Sequence, residues 1–298
     1  MNGLYLRRKW VNRTANSWTN ICLIISLLLP LVIGLGLVIR SLPLLHAYPF
    51  FRLLFSSAWS PMEGKFGFLP FIVSSLYVTM ISFLLSAPVS LLAAVYLTQY
   101  ASGKLTRLMY LVIDVLAGIP SVVYGVWGIV VIVPLCGDYL APFFHASSSG
   151  YCLLAGGIVL AIMCIPYMLN MLIEVLRAVP VELKEASLSL GATYWETIKK
   201  VLLKKGLSGI IASLGLGISK ALGETIAVLM VVGNVAQIPG SVFDSAYPLP
   251  ALIANNFGEM MSVPLYDGAL MLAALILFVI IILFNALANL LIFKTIKE

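Results

Sequence analysis

Gly268-Ala-Leu-Met-Leu-Ala-Ala-Leu-Ile-Leu-Phe-Val-Ile-Ile-Ile-Leu-Phe-Asn-Ala-Leu-Ala-Asn-Leu-Leu-Ile-Phe293 contains no charged side chain from its glycine to its phenylalanine. A helix needs roughly 20 apolar residues to cross about 30 Å of hydrocarbon, and a helix that is apolar all round faces lipid or a large core. Five earlier stretches are also long and predominantly apolar, at residues 21–39, 70–97, 108–135, 151–173 and 207–233, the third carrying Asp114 and the fifth Lys220 and Glu224. Composition excludes the soluble alternative. The 298 residues are 61% hydrophobic and 10% charged, with a mean hydropathy of +1.07, whereas a soluble domain carries about a quarter charged residues. The sequence therefore specifies an all-α membrane protein with six transmembrane helices.

Basic residues orient the spans. Arg7, Arg8, Lys9 and Arg13 precede the first span, Lys104 and Arg107 lie in the second connection, and Arg177, Lys184, Lys199, Lys200, Lys204 and Lys205 in the fourth. Lys294 and Lys297 follow the last span; only Arg40, Arg52 and Lys65 fall on the other side, with Lys220 inside a span. Both termini are thus expected in the cytoplasm. The +6 net charge is this topology signal and calls for no nucleic-acid partner. The first apolar run has no small-x-small cleavage site before Arg40, so it reads as a retained signal-anchor. Cys136 and Cys152 are expected near the outer ends of spans three and four, where an oxidising compartment permits a bridge; buried free thiols are the other reading.

The outer loops are expected at 41–69, 136–150 and 234–267. Pro239, Pro248, Pro250 and Pro264 make the last an ordered excursion, with a short helix near 252–261. On the inner side, Pro180 suits a first helical position and Gly191 a stop. Thr193-Tyr-Trp-Glu196 has the capping-box form, so a helix–turn–helix is expected across this connection. It either rests on the headgroups or enters a groove on a soluble partner. Pro88, Pro120 and Pro166 fall within spans two, three and four, where each frees backbone groups that a neighbour must satisfy.

Charge inside the membrane is the sharpest functional signal. Lys220 and Glu224 in span five are one turn apart on a helix, and intramembrane ionisable groups normally face a bundle interior or wet cavity. Two readings stand: a self-neutralising structural pair, or a cation that meets an anionic substrate with Glu224 holding it when the site is empty. Ser213 continues that face, with Gly209 and Gly217, and Thr225 follows it. In span two, Ser75, Thr79, Ser82, Ser86 and Ser90 form a stripe that lines a hydrated path or serves close packing. Asp114 is read near the inner interface, pairing with Arg107 or another basic neighbour. Neither Gly64-Lys65 nor Gly103-Lys104 fits a phosphate-cradling P-loop, and His46 and His145 form no metal or catalytic motif. Neither a catalytic nor a metal site is expected.

Glu185-Ala186-Ser187, followed by Gly191-Ala192, resembles the EAA loop of ABC importer permeases, which in that family docks into the ATPase subunit. Lys220-Ala-Leu-Gly-Glu-Thr-Ile-Ala-Val-Leu-Met-Val-Val-Gly-Asn234 is similar to the span-five signature of PstC-type phosphate permeases. Phe66-Gly-Phe-Leu-Pro70, Ala117-Gly-Ile-Pro-Ser-Val-Val-Tyr-Gly125, Gln237-Ile-Pro239 and Ile253-Ala-Asn-Asn-Phe-Gly-Glu259 extend the likeness. The resemblance covers Trp59 to the C-terminus, and Ala227-Val228 favours the C-type over the A-type chain.

The resemblance implies a type I ABC importer (MetI-like) permease fold in the bacterial inner membrane. Residues 1–58 would precede a permease core at 59–298 with its coupling loop at 178–205. It implies a PstA-type permease partner, an ATPase dimer that binds the ATP and Mg, and a periplasmic phosphate-binding protein. Lys220, Glu224, Ser75, Thr79, Ser82, Ser213 and Thr225 would line the substrate path, and Glu185, Ala186, Ser187, Gly191 and Ala192 would contact the ATPase. A permease for sulfate or molybdate, or a phosphate-sensing scaffold, are the alternatives. The family usually has arginine at Lys220, and lysine lacks the planar fork that grips phosphate bidentately. It also commonly has proline at Lys204, so Gly206 is expected to supply the break.

Overall fold

The computed structural model describes residues 2–259, 263 and 265–297; Met261 and Pro264 of the expected outer loop lie outside the described residues. Helix α1 (Asn2–Ala47) is followed by the short α2 (Phe50–Phe55) and a two-stranded antiparallel hairpin, β1 (Trp59–Ser60) with β2 (Lys65–Phe66). Then come α3 (Leu69–Gln99), α4 (Gly103–Gly118) and α5 (Ser121–Phe143), the last containing two π-helical stretches. After α6 (Leu153–Arg177), α7 (Val181–Ser189) and α8 (Tyr194–Lys205) form the inner helix–turn–helix. The chain ends with α9 (Leu207–Gly223), α10 (Ile226–Val231), α11 (Leu249–Asn256) and α12 (Tyr266–Lys297). Among the described residues, five helices are long and apolar enough to cross a membrane, at Thr14–Ala47, Leu69–Gln99, Ser121–Phe143, Leu153–Arg177 and Tyr266–Lys294.

A sixth candidate pass is a bent pair, α8 with α9, which meet at 69° across Gly206, and α9 is followed by a break at Glu224 and then by α10. α9 by itself has 17 residues, about 26 Å at 1.5 Å each, which falls short of the hydrocarbon thickness. Span three is also not the continuous 108–135 segment that hydropathy suggests. Pro120 has no N–H to donate and disfavours helical geometry at the residue before it. Ile119 accordingly sits at φ −68°, ψ 127°, closing α4. The span starts at Ser121 and runs on to Phe143, so Cys136 lies inside it and the outer loop is shorter than 136–150. Pro88 and Pro166, by contrast, stay within unbroken α3 and α6.

The centre of the bundle is α3 packed along α6, with Val78, Leu160, Cys164, Leu169, Leu172 and Ile173 buried between neighbours. Close approach there depends on Gly157, where a Cβ would stand 2.3 Å from Ile81 Cγ2. α1 lies on α12, and its apolar window is otherwise wholly uncovered. An aromatic cluster caps the outer end: the Trp59 ring meets Phe68 at 5.6 Å and Phe71 at 4.8 Å, above a fully buried Tyr266. The long outer excursion folds back to satisfy the orphan amides at the start of α6. Leu153 N–H donates to Asp244 O at 3.0 Å and Leu154 N–H to Val242 O at 2.8 Å. Its short helix is α11, starting three residues earlier than expected, at Leu249.

Candidate translocation site and coupling surface

The break in span five decides where its charges go. Gly223 ends α9, Glu224 N–H reaches back to Ala221 O at 3.3 Å, and Glu224 itself is extended at φ −73°, ψ 128°. Lys220 and Glu224 are therefore not neighbours on a continuous helical face. Among the described residues the ion pairs are Arg40–Asp267, Lys65–Glu63 and Lys200–Glu196, with none joining Lys220 to Glu224. The expectation of a one-turn pair is corrected on this point. Lys220 Nζ instead lies 4.5 Å from the Tyr167 ring centroid of α6, a cation–π contact. Its place in the last turn of α9 also puts it at the negative end of the helix dipole. Its charge is stabilised while its carboxylate neighbour is left free.

The other expected path residues divide. Ser82, fully buried on α3, has a hydroxyl with no hydrogen-bond partner, and the Cys164 thiol of α6 is its polar neighbour. Lys220 and Glu224 also act on Cys164, so Ser82, Lys220 and Glu224 converge on one region. Ser75 lies away from it: its hydroxyl donates to Phe71 O and accepts from Leu249 N–H, both at 2.8 Å. That bond ties α3 to the start of α11. Ser86 and Ser90 face α6, at 3.7 Å from Met168 Sδ and 3.5 Å from Ile165 O, which is close packing. Thr79 is buried, Ser213 is buried and donates to Gly209 O at 2.9 Å, and Thr225 sits half-exposed at the break, donating to Gly223 O at 3.3 Å.

Sequence reasoning missed Tyr167 and Cys164, whose position becomes visible only when α6 is packed on α9. It also missed the Ser219–Asn285 hydrogen bond at 3.0 Å, which joins α9 to α12; an amide in an apolar run was the available signal. Asp114 makes no ion pair with Arg107 among the described residues. Cys136 and Cys152 are both fully buried and both free thiols.

The inner helix–turn–helix is built as the sequence suggests. Gly191 adopts φ 83°, a left-handed value that glycine takes without cost. Thr193 and Glu196 form the capping box: Thr193 N–H donates to Glu196 Oε2 at 3.1 Å, and Glu196 N–H to Thr193 Oγ1 at 3.3 Å. Pro180 stands one position earlier than expected, at the N-cap. Ser187 Oγ and Thr197 Oγ1, 2.9 Å apart, join α7 to α8. Tyr194 bolts the unit to the bundle by donating to Gln99 O of α3 and accepts from Lys184 Nζ of α7, each at 2.7 Å. Glu185, Ala186, Gly191 and Leu190 remain exposed, Leu190 at 88%. At Gly206 the chain bends by 69° into α9.

Residues 86–297 match the family model described as "Binding-protein-dependent transport system inner membrane component". The chain is 37% identical over 254 residues to the phosphate transport system permease protein PstC of Xylella fastidiosa, covering 80% of this chain and 78% of that one. With PstC of Haemophilus influenzae it is 33% identical over 304 residues, covering 97% and 96%. The chain belongs to the PstC-type permease family. A probable ABC transporter permease of Bacillus subtilis, YqgH, is 37% identical over 233 residues, 78% of this chain and 74% of that one. Among solved structures, the inward-facing MetNI methionine ABC transporter aligns with a TM-score of 0.58 at 19% identity, over 74% of this chain and 93% of that chain. The fold is therefore that of a type I importer permease. The permease is a multi-pass membrane component of a transport system, and it is not itself an enzyme.

Proposed function

We propose that this permease is the C-type membrane subunit of an ATP-driven importer of inorganic phosphate and supplies half of the translocation path. Lys220 carries the reading: a cation without a carboxylate partner, at the break in span five, in a chain whose relatives include proteins named as phosphate permeases. Lys220 would meet the anion, Glu224 would keep binding weak enough for release, and Ser82 and Thr225 would offer hydroxyls beside them. The exposed side of Lys220 and Gly223 fits a path completed by an A-type permease.

Both termini then lie in the cytoplasm, and the α7–α8 turn with Glu185, Ala186, Ser187, Gly191 and Ala192 enters a cleft of the ATPase dimer, which binds ATP and Mg. A periplasmic phosphate-binding protein delivers the ion to the outer loops. Closure of the ATPase pushes the turn, and the rigid joint at Tyr194 passes the motion to α3. Labelled phosphate uptake in cells lacking their own importer, with the partner subunits supplied, tests this. Uptake should resist excess sulfate, vanish in Lys220→Ala and survive in Lys220→Arg. Uptake abolished by sulfate would move the substrate to another oxyanion, and full uptake by Lys220→Ala would remove Lys220 from the path.

A further inference from the structure

A second basic site lies at the end of the bundle that carries the α7–α8 turn. The end of α3, the start of α4 and the end of α6 line an open surface cleft of about 460 Å³ there, with Thr98, Gly103, Arg107, Tyr110 and Arg177 in its lining. Gly103, Arg107 and Tyr110 follow one another at spacings of four and three, so one face of α4 looks into the cleft. Arg177 arrives from the last turn of α6, its guanidinium 5.0 Å from the centroid of the Tyr110 ring.

Four features make this more than a solvated basic edge. Neither arginine forms an ion pair among the described residues, although the carboxylates of Glu174 and Asp114 are near enough to act on Tyr110. The Tyr110 hydroxyl is sealed from solvent and has no hydrogen-bond partner, an arrangement that costs free energy unless something accepts from it. Burial pushes the pKa of that phenol up, with Arg177 opposing, so at neutral pH it is a donor. Finally, α4 begins here: Ser102 caps it through Leu105 N–H at 3.5 Å. The remaining first-turn amides and the positive end of the helix dipole attract an anion.

We propose that this cleft binds a phosphate group, carried by an anionic phospholipid headgroup or by the free ion. Guanidinium forks match a phosphate's oxygens bidentately. A helix start and a phenol add donors from other directions, which suits a tetrahedral group with several acceptors. The exposed Leu108, Leu111 and Val115 continue along α4 away from the cleft, an apolar track on which acyl chains can lie. The site is separate from the Lys220 region and stands whatever ion that region carries.

The test uses the assembled transporter, purified and placed in phosphatidylcholine nanodiscs with or without phosphatidylglycerol. Native mass spectrometry reads retained phosphatidylglycerol, and equilibrium binding reads radiolabelled inorganic phosphate with the binding protein absent. Arg107→Gln and Arg177→Gln should each lower retention about tenfold, the worth of a charge-assisted hydrogen bond, and Tyr110→Phe by a few-fold. Lys104→Gln removes a neighbouring charge outside the cleft and should change nothing. Loss of phosphatidylglycerol alone assigns the headgroup, and loss of phosphate alone assigns the free ion. No loss in either arm, or an equal loss with Lys104→Gln, overturns the proposal. Should an arginine variant fail to assemble, Tyr110→Phe, which keeps the ring, reads the same contact.

Discussion

Replacing Tyr194 with phenylalanine should loosen the α7–α8 turn from the bundle without disturbing its packing. The ring would keep its edge contact with Tyr100 at 5.3 Å and the Lys184 ammonium at 4.6 Å, so only the hydroxyl is lost. That hydroxyl makes the 2.7 Å bonds to Gln99 O and from Lys184 Nζ. A neutral bond is worth about 1 kcal/mol net and one to a charged group about 1.5–3 kcal/mol. Water recovers part of this because the groups are half-buried, and Lys184 keeps its 3.0 Å bond to Gln99 Oε1. Because the Lys184 bond lies within the α7–α8 unit, only the bond to Gln99 O is lost at the joint, about 1 kcal/mol, which is roughly a fivefold shift in the local opening equilibrium. Hydrogen exchange of the α7 and α8 amides in the assembled transporter would read that shift. Uptake per ATP hydrolysed would read its consequence, and should fall while hydrolysis persists. Unchanged exchange would show that the hydroxyl does not hold the turn. Faster exchange with an unchanged uptake ratio would show that the joint does not transmit the stroke.

Gly157→Ala should destabilise the α3–α6 contact by about 1–3 kcal/mol, because a Cβ would stand 2.3 Å from the stiff, branched Ile81 side chain; a lowered unfolding temperature of the complex checks it. Gly191→Ala, at φ 83° with open space around it, should cost about 1 kcal/mol from backbone conformation alone, read as the same shift. The pKa of Glu196 is held below the ordinary carboxylate value, first by the Thr193 backbone N–H and then by Lys200. A depressed folded pKa contributes stability that is present above the unfolded value and lost as pH falls through the folded one. Exchange protection at the start of α8 should therefore fade on acidification through the carboxylate range, and Glu196→Gln should remove that dependence.

Sequence and structure agree wherever one local rule dominates. The capping box at Thr193 and the turn at Gly191 were legible because each needs only residues a few positions apart. The spans were legible because hydropathy sums over a whole helix. Hydropathy failed at Ile119-Pro120, where the chain stays apolar across a break set by one missing N–H. The boundary of α4 therefore moved, carrying Cys136 into the membrane. The Lys220–Glu224 spacing failed for a related reason: helical arithmetic assumes an unbroken helix, and α9 stops between the two charges. The serine stripe is buried as a face, with Ser75 committed to Leu249 and Ser86 and Ser90 facing α6. That the sealed Ser82 hydroxyl is left unpaired depends on the helix packed opposite it.

The break in span five also bears on the proposed path. An unbroken span five would close its own backbone hydrogen bonds and bring Glu224 round beside Lys220, leaving a neutral pair with little field for an ion. Breaking it at Gly223–Thr225 separates the charges and opens last-turn carbonyls and next-turn amides at membrane depth. Non-helical backbone is tolerated there only where protein or water covers it. The chain supplies part of that cover through Ala227, Val228 and Val231, buried among the surrounding helices, but leaves Lys220, Gly223 and Ile226 uncovered. A second permease packed on this face would supply the rest, and with it the wall opposite Lys220. Under the proposed function the break makes the charge available, and a partner permease on this face would complete the path that Gly223, Glu224 and Thr225 leave open.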